Sequence, residues 1–250
     1  MQIIQGAVET ARGVIAERYP ECYLALLAGS VVRGEATPTS DLDVVVLTRA
    51  AGAPYRESLL AAEWPVEVFV HSEASLKVFF TRDAERRRPS LQTMCAEGVV
   101  LKDTENRAAS LKAEARRQLS AGPPPLRPGE VLERRYFLTD DLDDFIGATT
   151  QIEAFFALSE LLPGACDFIF DTRREWRGGG KWTPRRLEKV DPERYERLVE
   201  ALTAFTERGD RKPIVIWLDA VLAPFGGRLF AGFSLGKPDS PASADEAYEA

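Results

Sequence analysis

The stretch LLAGSVVRGEATPTSDLDVVVL, Leu26–Leu47, decides how the first half of the chain is read. It joins two short apolar runs through a segment of Gly, Ser, Thr and Pro, which is turn chemistry rather than helix or strand interior. Strands are therefore predicted over Cys22–Ala28 and Leu42–Leu47. The first ends on Gly29-Ser30, and the second opens with Asp41 and Asp43 two residues apart. Side chains alternate along a strand, so Asp41 and Asp43 share one face while Leu42 and Val44 point to the other. Two carboxylates held that close raise each other's pKa, and a divalent cation is the simplest partner that keeps both ionised. Magnesium suits paired carboxylates combined with phosphate oxygens and water.

Gly29-Ser30 supplies the complement. The following Val31-Val32-Arg33-Gly34 reads as the start of a short helix, whose free N–H groups would attract phosphate. Gly29 lets a ligand approach the backbone closely, and the Ser30 hydroxyl can donate to a phosphate oxygen. A third strand is predicted over Val66–Val70, where alternation sets Glu67 on the face opposite Val66 and Val68. Beside the Asp-bearing strand, Glu67 would complete a three-carboxylate cluster as a metal ligand or general base; on an edge strand it would be an acid facing water. A solvated strand mouth is the plain reading of Asp41 and Asp43, and Gly29-Ser30 at matching distance argues against it.

Working outward, Ile3, Ile4, Ala7, Val8, Ala11, Val14 and Ile15 recur at helical spacing and predict an amphipathic helix ending before Pro20. Tyr55–Ala62, Glu73–Asp83, Ser90–Ala96 and Glu105–Leu119 read as helices, with a short strand at Val99–Leu101. The run AGPPPLRPG, Ala121–Gly129, has four prolines and two glycines and marks a domain boundary. Beyond it Glu130–Leu162, Pro192–Arg208 and Lys212–Ala223 carry helical periodicity, which predicts an all-α helical bundle. The expected division is a domain over residues 1–121, a helical domain over 130–236 and a flexible tail over 237–250.

Gly29-Ser30, ten intervening residues, Asp41-Leu42-Asp43-Val44 and a later hydrophobic-Glu67-hydrophobic strand together resemble the polymerase β-type nucleotidyltransferase superfamily. The α/β half followed by a helical half resembles, within it, the aminoglycoside and related antibiotic nucleotidyltransferases. The resemblance implies an α+β catalytic domain with a small mixed sheet, followed by the all-α domain. It implies in-line attack by an acceptor hydroxyl on the α-phosphorus of a nucleoside triphosphate such as ATP, with pyrophosphate release. By position, Asp41 and Asp43 become Mg2+ ligands, Glu67 the third catalytic acid, and Gly29 and Ser30 the binders of the outer phosphates. In two-domain relatives a helical-domain lysine reaches the triphosphate, which makes Lys181 a nucleotide-binding candidate ahead of Arg173, Arg174 and Arg185. Lys181 lies in Trp176-Arg177-Gly178-Gly179-Gly180-Lys181-Trp182, which is not a P-loop, because no strand precedes it and Trp182 follows the lysine. Its plain reading is a loop whose tryptophans pack on the core. The acceptor is expected to be a small hydroxylated molecule, with aminoglycoside-like antibiotics as one class. The alternatives are AMP transfer to a protein, as in antitoxin-type members, and a nucleotide-binding module without turnover.

Composition sets the outer limits. The excess of 39 acidic over 32 basic residues, a net charge of -7, argues against a broad nucleic-acid footprint, which needs cations for phosphates. Cys22, Cys95 and Cys166 have neither metal-ligand nor disulfide-framework spacing, and the N-terminus lacks the pattern of a signal peptide, so a cytoplasmic location is expected. The apolar stretch Pro213–Phe230 is broken by Asp219, Pro224 and Arg228, so no membrane span is predicted. His71, the only histidine, and the acid run Asp140, Asp141, Asp143 and Asp144 read as a strand-end residue and a solvated helix face.

Overall fold

The computed structural model describes residues 2–235 and divides into two compact units, one ending at Pro124 and the other beginning at Pro125. The tail over 237–250 lies outside the described residues.

The first unit is built on β1 (Leu24–Ala28), β2 (Leu42–Leu47), β3 (Tyr55–Ala61), β4 (Trp64–His71) and β5 (Val99–Asp103). They form one mixed sheet in the order β3-β4-β2-β1-β5. Only the β2–β4 pairing is parallel, and it aligns Asp43 with Glu67. The interior strand β1 is apolar on both faces because both are covered, as expected of a strand between two layers of helix. On one face lies α1 (Gln2–Arg18), whose Ala7, Ala11, Val14 and Ile15 pack against Leu27, Val44, Val46 and Val68. The opposite face is covered by α2 (Glu73–Glu85), α3 (Ser90–Glu97) and α4 (Ala108–Ala121), with Leu76, Phe80, Leu91, Cys95 and Ala115 against Leu24, Leu26 and Val45.

Tyr55–Ala61 is a strand where its composition predicts a helix. It pairs antiparallel with β4 through a two-residue turn, Ala62-Glu63, in which both residues have positive φ (45° and 70°). Such a turn matches the strand twist, and edge pairing with the strongly β-forming Trp64–His71 overrides the helical preference of Glu57, Leu59, Leu60 and Ala61. The helix expected from Glu105 begins instead at Ala108, because Asp103 turns its carboxylate onto the backbone N–H groups of Arg107 and Ala108.

Among the described residues the regular structure of the second unit is helical: α5 (Pro128–Gly147), α6 (Gln151–Thr172), α7 (Trp182–Val190), α8 (Pro192–Arg208), α9 (Lys212–Leu222) and a 3-10 turn at Ala223–Phe225. Leu142, Phe145, Leu161, Ile169, Phe205 and Leu218 are among its fully buried core residues. The helical pattern over Glu130–Leu162 is two helices, broken where Thr150 caps α6 and Glu153 accepts from the N–H groups of Thr149 and Thr150. No helix among the described residues is long and apolar enough to cross a membrane.

Candidate active site

The site is assembled at the end of the sheet where β1 stops and β2 starts. Asp43 is in register with Ala28 on one side and Glu67 on the other, so the pairing of three strands fixes where its carboxylate can go. Asp41 stands just before β2, and alternation puts it on the face of Asp43 and Glu67. Asp41, Asp43 and Glu67 each offer an oxygen, all within 4.8 Å of one another, and all three residues are half-buried. Among the described residues this is the only group of three or more such ligands so placed.

Asp43 carries the electrostatic consequence. Burial, followed by the negative charges of Asp41 and Glu67, pushes its carboxyl up to about 6, with Arg33 and Arg56 pulling weakly the other way. Oxygen-only, anionic and crowded, the donor set fits a hard divalent cation such as magnesium. The chain's own compensation is partial: Arg56, on the edge strand β3, forms an ion pair with Glu67.

Gly29 is required where it stands. Its φ is +83°, and a Cβ there would lie 2.2 Å from an Asp43 carboxylate oxygen. Only a residue without a side chain allows β1 to turn away while the Asp43 carboxylate lies against its backbone. Ser30 donates to the Ser40 hydroxyl at 3.0 Å, and that hydroxyl also accepts from the Thr37 backbone N–H at 2.8 Å. Ser40 is buried and immediately precedes Asp41, so this contact ties the Gly29-Ser30 turn to the start of the acidic strand.

The helix expected after Ser30 is absent. Val31–Gly34 is a turn closed by Gly34 N–H to the Val31 carbonyl and by Glu35 N–H to the Ser30 carbonyl. Arg33 in this turn is held by Glu35 and Glu97, which leaves the segment too short and too committed to act as a helix terminus. A phosphate at this position would meet a glycine turn and one hydroxyl rather than a helix dipole.

Lys181 belongs to the second unit, exposed at the N-cap position of α7, with its Nζ 5.7 Å from the centroid of the Trp182 ring. Arg185 lies over the same ring, Arg173 pairs with Asp191, and Arg174 occupies a left-handed conformation. The segment before Lys181 is anchored rather than loose. Arg177 pairs with Asp167 and with the fully buried Asp171, which also pairs with Arg134, and Trp176 is buried. The N–H groups of Trp182 and Thr183 bond to the carbonyls of Gly179 and Gly180, so the glycines close a turn into α7 and make no phosphate cradle. His71 is buried against Ser75 and Phe79, away from the carboxylates at the far end of β4.

Sequence reasoning missed Arg56 and Ser40 as parts of this site. Arg56 was hidden because its segment reads as helix; once Tyr55–Ala61 is a strand, Ser58 faces Glu67 and Arg56 lies two residues away on the same face. Ser40 carried only the weak signal of a hydroxyl next to Asp41.

Comparison with curated proteins finds no match. Among solved structures, one of a nucleotidyltransferase-like protein from Exiguobacterium sibiricum 255-15 is similar at 16% identity over 87% of this chain and 74% of that one, with a TM-score of 0.48. Residues 8–88, which contain Gly29, Ser30, Asp41, Asp43, Arg56 and Glu67, match the family model of the nucleotidyltransferase domain, and nucleotidyl transfer is the general chemistry that this match supports.

Proposed function

We propose that the protein transfers a nucleoside monophosphate from a nucleoside triphosphate, with ATP as the leading donor, to a hydroxyl of a small-molecule acceptor. The observation that carries this reading is the convergence of Asp41, Asp43 and Glu67 within 4.8 Å inside the matched span. Asp41 and Asp43 would hold Mg2+, which when bound supplies neutralisation of the triphosphate charge and polarisation of the α-phosphoryl group. Gly29 would offer an open backbone to the outer phosphates, and the Ser30 hydroxyl would turn its proton from Ser40 to a phosphate oxygen, so that the leaving pyrophosphate is bound where its charge develops. The acceptor oxygen forms its bond to the α-phosphorus as the bond to the α–β bridging oxygen breaks and the electron pair leaves with pyrophosphate. Glu67, which Arg56 holds by an ion pair, takes the hydroxyl proton. Positioning and electrostatics supply the rate.

The residues that build this chemistry fall within 1–121, proposed as the catalytic domain, and the helices over 130–236 are proposed as the acceptor-selecting domain. Lys181 is proposed as a further nucleotide-binding residue, and the three buried, unbridged thiols support a reducing cytoplasm. An aminoglycoside-like polycation is the first acceptor class to test, since the acidic balance of the chain favours cations.

The test is magnesium-dependent pyrophosphate release with each of the common nucleoside triphosphates against aminoglycosides, lincosamides and hydroxylated metabolites. Release is expected with one acceptor class and a loss of a hundredfold or more in Asp41→Ala and Asp43→Ala, on the order seen for removal of a principal electrostatic group. Full activity in both variants refutes the site, and nucleotide binding without release on any acceptor, protein included, favours a binding module.

A further inference from the structure

Two cations of the first unit act on Asp43, Arg33 and Arg56; Arg33 pairs with Glu35 and Glu97, whereas Arg56 pairs with a carboxylate of the cluster itself. Its guanidinium reaches along β3 from its own cross-strand neighbour Phe69, whose ring centroid lies 4.9 Å from Cζ, to the Glu67 carboxylate. Glu67 in turn lies in register with Asp43. One side chain thus caps the cluster from the open edge of the sheet, opposite the Gly29-Ser30 turn.

We propose that Arg56 is the resident counter-cation of the carboxylate cluster, holding Glu67 and limiting the site to one tightly bound divalent ion. The inference rests on the reading of Asp41, Asp43 and Glu67 as a cation site. Three carboxylates carry three negative charges, and one guanidinium together with one divalent ion balances them. A second divalent ion at Glu67 would have to displace the guanidinium and sit beside the first against like-charge repulsion.

The exposure of the pair separates this role from a structural one. The Arg56 side chain is 57% exposed and that of Glu67 24%. Ion pairs so open to water contribute little to folding, so a pair placed here has its main effect on what else binds the cluster. Phe69 adds direction by supporting the guanidinium from beneath, which keeps the charge over the carboxylates rather than free in solvent.

The experiment is calorimetric titration of the intact, metal-free chain with Mn2+ at pH 7.5, alongside thermal melting without metal. Wild type is expected to take up one Mn2+ tightly. Arg56→Met should bind Mn2+ about tenfold tighter or take up a second ion, since a positive charge next to the site is gone. Arg56→Gln, which keeps a donor for Glu67 but no charge, should behave the same way and serves if the methionine variant does not fold. Arg56→Lys should stay near wild type. A merely structural arginine would lower the melting temperature and leave affinity and stoichiometry unchanged, and that result overturns the proposal, as does weaker binding in the uncharged variants. If wild type takes up no Mn2+, or Asp43→Asn takes it up equally well, the cation site itself is refuted and Arg56 with it. If Asp43→Asn loses binding while the Arg56 variants match wild type, the cation site stands and only the role of Arg56 fails.

Discussion

Asp43 is where function and stability oppose each other. Its carboxyl lies at about 6 in the folded chain against an ordinary value of 3.8, raised by burial, then by Asp41 and Glu67. A group raised on folding contributes stability that is fully present below the unfolded value and lost as the pH climbs through the folded one. Above pH 6 the metal-free chain therefore carries a half-buried charge that Arg33 and Arg56 offset only in part. Asp43→Asn removes it and is expected to stabilise the metal-free protein by on the order of 1 kcal/mol at pH 7.5, after discounting for solvent screening. Urea unfolding of both forms between pH 5 and 7.5 checks this: the advantage of the variant should widen as pH rises through 6, and an advantage independent of pH would show that charge repulsion is not its cause. Asp41 and Asp43 were legible in the sequence because alternation on one strand suffices to bring them together. That Gly29 lies against the Asp43 carboxylate was not, since it depends on the register of β1 with β2.

Among the elements, β1, β2, β4, α5, the first half of α6, α8 and α9 are read from apolar runs and periodicity, which report burial directly. β3 escapes that reading. It is an edge strand with one side open, so its burial pattern is shallow, and its residues are individually helix formers. Its turn also lacks any local signal: Ala62 and Glu63 occupy positive φ where Asn-Gly would be expected. The double substitution Ala62→Asn, Glu63→Gly should therefore relieve backbone strain and stabilise the first unit by about 1 kcal/mol or more. Thermal or urea unfolding measures it, and a loss of stability would contradict the hairpin. The same blindness hid Arg56, whose place beside Glu67 follows from strand pairing and from nothing in the local sequence. In the second unit, α7 and the anchoring of Arg177 by Asp167 and Asp171 were likewise illegible, because the ion cluster joins residues from α5, α6 and the glycine turn.

At the scale of the whole molecule, composition and pattern separate a mixed-sheet unit from a helical one, and the span that matches the nucleotidyltransferase domain lies in the first. The acceptor is not written in those features, because the residues that would choose it answer to shape and charge rather than to a spacing rule. The proposed function places a divalent cation and a triphosphate side by side, between Asp41-Leu42-Asp43 and Gly29-Ser30. The most direct measurement is anomalous scattering from crystals of the full chain grown with Mn2+ and an ATP analogue that cannot be cleaved between the α- and β-phosphorus. A manganese peak ligated by Asp41 and Asp43, with the outer phosphates against Gly29 and Ser30, is the predicted result. Manganese bound elsewhere, or a nucleotide bound away from the Gly29-Ser30 turn, would contradict it.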